Sequence, residues 1–391
     1  MRNIKIAYIL SFLWRSWFWL GCWIFYYLKF TDYAGIGFLE TAMIVTSTLG
    51  EIPTGVVADL FGKKTSVAVA FFLGGAGNLI MACAPNYLIL VLSIIIMTVG
   101  GAFYSGSLEA LVYDSLKEVK QNTMYQKVLG RMTTMQNLGM AVAGITGGYL
   151  YIVHASLPFL AVAVAYLVGF IFSLYLIEPL LNTEKYSWSK FVSQNTQGFR
   201  QLFANKELAY VVILLIIPAA FMVATENVLN DATAVELGFN SVQLGVFSTI
   251  LYLFGILVSE RTDWFVRRIK SGWLYVGSVS LYFITLAIMP KALFFFGAFM
   301  LLARYGIQTF FGNYESIKIN EIADSRFRAT TLSTFSLLKN IPYALAATGV
   351  GALMNIYTAK TFSLFFGFFF VAVLFLFYLA RPLFTREKLR I

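Results

Sequence analysis

Charge is scarce in this chain. Asp, Glu, Lys and Arg make up 12% of its 391 residues, about half of what a soluble domain carries. Too few polar side chains remain to cover a water-facing surface, so disorder and a soluble globular fold are both excluded. Cysteine is almost missing: Cys22 and Cys83 stand alone in apolar stretches, which rules out a disulfide framework and a CxxC metal site. His154 is the single histidine, so neither a histidine-based metal centre nor a Ser-His nucleophile is available. No metal, cofactor or catalytic residue is therefore expected, and the chain is not expected to be an enzyme.

Apolar side chains are what the sequence does have, at 59% of residues with a mean hydropathy of +0.76. They come in runs of about 20, the length of a membrane-spanning helix, not in the short alternating segments of a membrane barrel. Twelve runs are legible, near 6–28, 35–58, 65–84, 87–114, 130–152 and 157–177, then 209–229, 241–259, 272–289, 292–316, 330–354 and 360–380. The first comes after a short basic start and lacks a small-residue cleavage pattern, so it reads as a span rather than a signal peptide. The longest polar stretch divides the chain into 1–177, a linker at 178–208, and 209–391 with a short basic tail. The expected fold is an all-α integral membrane protein of twelve helices in two pseudo-symmetric six-helix bundles.

Lysine and arginine orient it, because cytoplasmic loops retain them. With the N-terminus inside, 22 of the 29 bases fall in inner segments and three, Lys29, Lys291 and Lys360, in outer loops. The net charge of +10 is thus a topology signal with both termini in the cytoplasm, and no nucleic-acid partner is needed to explain it.

An internal repeat supports two homologous halves. Asp59-Leu60-Phe61-Gly62-Lys63-Lys64 after the second run matches Asp263-Trp264-Phe265-Val266-Arg267-Arg268 after the eighth. Tyr104-Ser105-Gly106-Ser107-Leu108-Glu109 matches Phe310-Phe311-Gly312-Asn313-Tyr314-Glu315, and Arg131-Met132-Thr133-Thr134-Met135 matches Arg328-Ala329-Thr330-Thr331-Leu332. Repeated halves are the build of many secondary transporters, with substrate bound between them.

These residues resemble the major facilitator superfamily. Gly55-Val56-Val57-Ala58-Asp59-Leu60-Phe61-Gly62-Lys63-Lys64 is similar to its signature loop between spans two and three, with Leu60 where the family usually has a base. The resemblance implies a cytoplasmic gate, in which Asp59 would sit at the Arg328 end of span eleven and, by the repeat, Asp263 at the Arg131 end of span five. Span five carries Gly130, Gly139, Gly144, Gly147 and Gly148 at the spacing of the family's exporter motif without its proline; plain helix packing explains such glycines equally well. Glu51-Ile52-Pro53-Thr54-Gly55 and Ser105-Gly106…Glu109…Tyr113-Asp114 also resemble drug-exporter-like branches. The resemblance implies a multi-pass protein of a bacterial cytoplasmic membrane, a functional monomer whose partners are the lipid bilayer and a small-molecule substrate.

Charges at membrane depth are functional candidates, since each costs roughly 2.5–3.5 kcal/mol to insert. The bases are Arg15, Arg304 and Lys339; the acids are Glu40, Glu51, Glu109, Glu226 and Glu315. Helical spacing puts Arg304, Gln308, Phe311 and Glu315 on one face, and Thr98, Ala102, Ser105 and Glu109 on another. Trp19 and Ser105 join Arg15, Arg304, Gln308 and Lys339 as expected cavity residues. Two readings stay open: a proton gradient drives export of an amphipathic molecule through Glu51, Glu109, Glu226 or Glu315, or Arg15, Arg304 and Lys339 converge on an organic anion. Structural ion pairs, such as Glu315 with Arg304 or Glu109 with Arg131, would explain the same residues. A non-transporting receptor is the remote alternative, and the single histidine argues against a membrane enzyme.

Overall fold

The computed structural model describes residues 2–179, 196–323 and 328–384, without the side chains at 51–53, 55–60 and 329. Among the described residues every regular element is helical. The first half holds α1 (Arg2–Trp14), α2 (Trp23–Tyr27), α3 (Tyr33–Phe61), α4 (Lys63–Ala82), α5 (Tyr87–Tyr104), α6 (Ser107–Glu118), α7 (Tyr125–Val153) and α8 (Leu157–Leu174). The second holds α9 (Lys206–Ala224), α10 (Asn230–Glu236), α11 (Ser241–Arg268), α12 (Ser271–Ala287), α13 (Phe294–Ile322), α14 (Arg328–Ile356) and α15 (Ala359–Leu379).

Each of the twelve apolar runs falls on a helix or on two consecutive ones. Eight of these stretches are long and apolar enough by themselves to cross a bilayer. The helices α3, α7 and α14 have the length, 29 residues each, but are diluted by Gly, Ser and Thr. Many large apolar side chains stay exposed, among them Leu88, Leu253, Phe295, Phe368 and Phe369, as expected of a surface solvated by hydrocarbon rather than water.

Three departures from the sequence reading matter. The first run is not one helix: residues 15–22 break it between α1 and α2. The fourth is broken at Ser105–Gly106, with Gly106 in the left-handed region at φ 71°. The signature segment expected as a loop is helical through Phe61, and only Gly62, at φ 92°, interrupts it before α4 begins.

The chain forms two compact units, Met1–Thr31, Ala42–Trp188 and Asn240–Thr249 in one, and Asp32–Thr41, Ser189–Phe239 and Ile250–Ile391 in the other. A division by halves would leave α3 and α11 whole; instead the leading segment of each belongs to the unit built from the opposite half. In unit 1, α4 packs on α5 and α8, and α1 on α7 and α8, around Leu10, Phe71, Leu111, Val128 and Val162. In unit 2, α9 packs on α14 and α15, and α12 on α13 and α15.

Candidate functional site

In unit 1 the break after α1 displays the mid-membrane arginine. Two tight backbone turns, Trp17 N to Arg15 O at 2.9 Å and Phe18 N to Ser16 O at 3.1 Å, replace the helical ladder. The Arg15 guanidinium lies over the Trp17 ring, 4.3 Å from its centroid, and Trp17 stacks on Trp19 at 5.2 Å. Trp17 Nε1 donates to Tyr166 Oη at 3.3 Å, which donates to the Trp14 carbonyl at 2.8 Å. Trp14 stacks on Tyr104 at 3.9 Å. Arg15 and Trp19 are half-buried, while Ser105 and Glu109 beside the second break are exposed. Interrupted spans are where transporter folds expose backbone and side chains to a substrate path. Hydropathy, which sums over a window, carries no sign of them.

The glycines of α7 explain the break locally. A side chain on Gly139 would collide with the Phe12 carbonyl and one on Gly147 with the Phe18 carbonyl, while Gly144 and Gly148 face Thr249 and Ser241 on the leading segment of α11. Gly130 meets nothing within 4 Å. Four of the five motif glycines thus serve close backbone packing, the mechanism by which helices associate in lipid.

Unit 2 is built around Arg304, which is fully enclosed. Its Nη1 donates to Asn230 Oδ1 at 3.0 Å, Nη2 to the Thr285 carbonyl at 2.7 Å and to Ser363 Oγ at 3.4 Å, and Nε to Thr285 Oγ1 at 3.2 Å. The guanidinium therefore ties α10, α12 and α15 to its own α13. Gln308, one turn on, donates to Thr225 Oγ1 at 2.7 Å and to the Met222 carbonyl at 3.2 Å. Thr225 opens a π-helical turn, Thr225–Leu229, between α9 and α10, a widening common at functional sites. Arg304 and Gln308, expected on a cavity wall, are therefore corrected to the interior of the packing, because their donors are used by neighbouring helices. Thr225, Asn230, Thr285 and Ser363 escaped the sequence reading. Their only trace is a small polar residue inside an apolar run.

The remaining charges gather elsewhere. Lys339 Nζ bonds Glu315 Oε1 at 2.5 Å, so Glu315 pairs with Lys339 and not with Arg304. Glu315 is buried, and no described residue donates to its Oε2. Glu226, in the wide turn, is exposed and has Lys339 as its electrostatic neighbour. Of these three groups, Lys339 and Glu315 form the described ion pair. Glu109 and Arg131 are both exposed, and neither enters a described ion pair with the other.

Of the signature motif, Gly55, Asp59 and the nearby Glu51 lie outside the described side chains. Beyond them Lys63 pairs with Asp114, and Glu178 caps α4, accepting from Lys63 N at 2.8 Å and Lys64 N at 2.7 Å. A carboxylate at a helix N-terminus is favoured by the dipole and by the free amides there. The repeat-related Asp263 bonds its own helix, with Arg267 Nη2 at 2.8 Å; both are exposed, as are Arg268 and Arg328.

The sequence is 25% identical over 262 residues to an uncharacterized MFS-type transporter, YxaM, of Bacillus subtilis (strain 168), covering 63% of this chain and 62% of that one. It is 24% identical over 237 residues to multidrug resistance protein 1 of the same organism, covering 59% and 58%. The chain spans about three fifths of the length of these curated relatives. Its fold is similar to the crystal structure of the nucleoside transporter NupG, with a TM-score of 0.81 at 19% identity over 99% of both chains. The Major Facilitator Superfamily matches residues 6–347, and with the paired six-span halves and the Gly62-Lys63-Lys64 motif in place, this chain belongs to that superfamily.

Proposed function

We propose that the protein is a secondary active transporter that works by alternating access and couples export of a small amphipathic organic molecule to protons. The observation that carries the reading is the cluster of Glu226, Glu315 and Lys339. Lys339 neutralises one of the two carboxylates through the bond to Glu315, and no ion pair among the described residues balances Glu226, a place that a proton or a cationic ligand fills. Leaving it charged at membrane depth is costly, so the cluster exchanges one positive charge as its surroundings change. A protonated cluster releases cationic substrate, and a deprotonated one accepts it.

The organic-anion reading loses two of its three bases, since Arg304 is enclosed by neutral acceptors and Lys339 is paired. Arg15, stacked on Trp17, remains to it. The aromatic surface around Arg15 suits a flat amphipathic molecule in either case. Uptake of a fluorescent organic cation into inside-out vesicles, with and without an imposed pH gradient, tests the proposal. Gradient-driven uptake is expected in the parent and is lost in Glu226→Gln and in Glu315→Gln. Unchanged gradient-driven uptake in both variants refutes it.

A further inference from the structure

We propose that Glu40 is a proton-binding site that locks the leading segment of α3 onto α14. Asp32–Thr41 is the part of α3 that belongs to unit 2, and its docking is regular. Tyr33 N donates to Asn355 Oδ1 at 3.0 Å, and Thr41 Oγ1 donates to the Ala344 carbonyl at 2.8 Å. Between them, Gly37 lies so close to Ala347, and Gly351 to Tyr33, that a Cβ on either glycine would strike a backbone carbonyl. Residues 33, 37 and 41 thus mark successive turns of one helix face.

Glu40 sits beside this face, 7% exposed, and no described residue donates to its Oε2. None of the described ion pairs involves it. Its electrostatic neighbours include a second acid, Asp231 on α10, and the Tyr343 hydroxyl on α14. Tyr343 is 2% exposed, and its hydroxyl also has no described partner. Arg304 spends its donors on Asn230, Thr285 and Ser363.

A buried carboxyl that enters none of the described ion pairs ionises only at high cost. With its proton in place Glu40 is neutral, and the segment stays docked. When the proton leaves to water, an anion remains in the packed seam, and the segment separates from α14. This site is distinct from the Glu226, Glu315 and Lys339 cluster. It rests on the transport reading only for its physiological role, and its test needs neither substrate nor gradient.

Nitroxides placed by Phe38→Cys and Leu345→Cys, both at exposed positions on α3 and α14, report the seam by dipolar broadening in a Cys22→Ala, Cys83→Ser background. Broadening is expected in mildly acidic buffer and is lost in mildly alkaline buffer. Glu40→Gln keeps it in both, and Asp231→Asn displaces the midpoint. Equal broadening in both buffers for the parent, or the parent's pH response retained in Glu40→Gln, overturns the proposal. Should Glu40→Gln fail to fold, an unchanged midpoint in Asp231→Asn overturns it equally. Failure of vesicle uptake would strike the transport reading while leaving this measurement intact.

Discussion

Replacing Arg304 by methionine keeps much of the side-chain volume and removes every donor, so it separates a structural arginine from a substrate-binding one. Two of its bonds, to the Thr285 carbonyl at 2.7 Å and to Asn230 at 3.0 Å, are short, and a hydrogen bond from a charged group contributes about 1.5–3 kcal/mol. The loss is therefore about 3–6 kcal/mol before compensation. Methionine also removes the cost of holding a cation away from water, which leaves a net destabilisation of about 2–4 kcal/mol. Unfolding entropy of about 2.1 cal/mol/K per residue converts about 3 kcal/mol into a drop of about 4 °C if the whole chain melts together, and about twice that if unit 2 melts alone. A fluorescence-monitored thermal melt in detergent reads this directly. Arg304→Lys, which keeps the charge but loses the planar fork, should fall between parent and methionine. A structural role for Arg304 is refuted if Arg304→Met melts with the parent while binding of a transported compound weakens by an order of magnitude.

Other perturbations probe two further charge contacts. Lys339→Met leaves Glu315 buried without its partner and is expected to cost about 3–5 kcal/mol; adding Glu315→Gln should restore most of the lost melting temperature, and a double variant no better than the single one counts against the pairing. Gly62→Ala places a side chain at φ 92°, a strain of about 1–2 kcal/mol, against the Glu178 carboxylate that caps α4. A lowered melting temperature is expected, and an unchanged one would mean that the turn relaxes freely.

Much of the fold was legible because a bilayer imposes length and apolarity on every span, and both survive in one sequence. The helical face shared by Arg304, Gln308, Phe311 and Glu315 was also legible. All four are buried, so the periodicity was right and the surroundings were not: spacing says which residues point together, and only packing says at what. The Lys339 bond to Glu315 joins α14 to α13 and has no local signature. The same holds for the break at 15–22, where the run stays apolar while α7 offers glycines across which the Phe12 and Phe18 carbonyls can pass. Asp114 and Glu178 stood at span ends where acids are ordinary, and only their geometry marks them.

The exchange of Asp32–Thr41 and Asn240–Thr249 between units has a mechanical consequence. Helices α3 and α11 run without interruption through the points where membership changes, near residues 41–42 and 249–250. A continuous helix anchored at one end in each of two bodies behaves as an elastic rod. On the proposed alternating-access mechanism, bending of these two helices would store elastic energy, and their stiffness would set part of the resistance against which the cycle works.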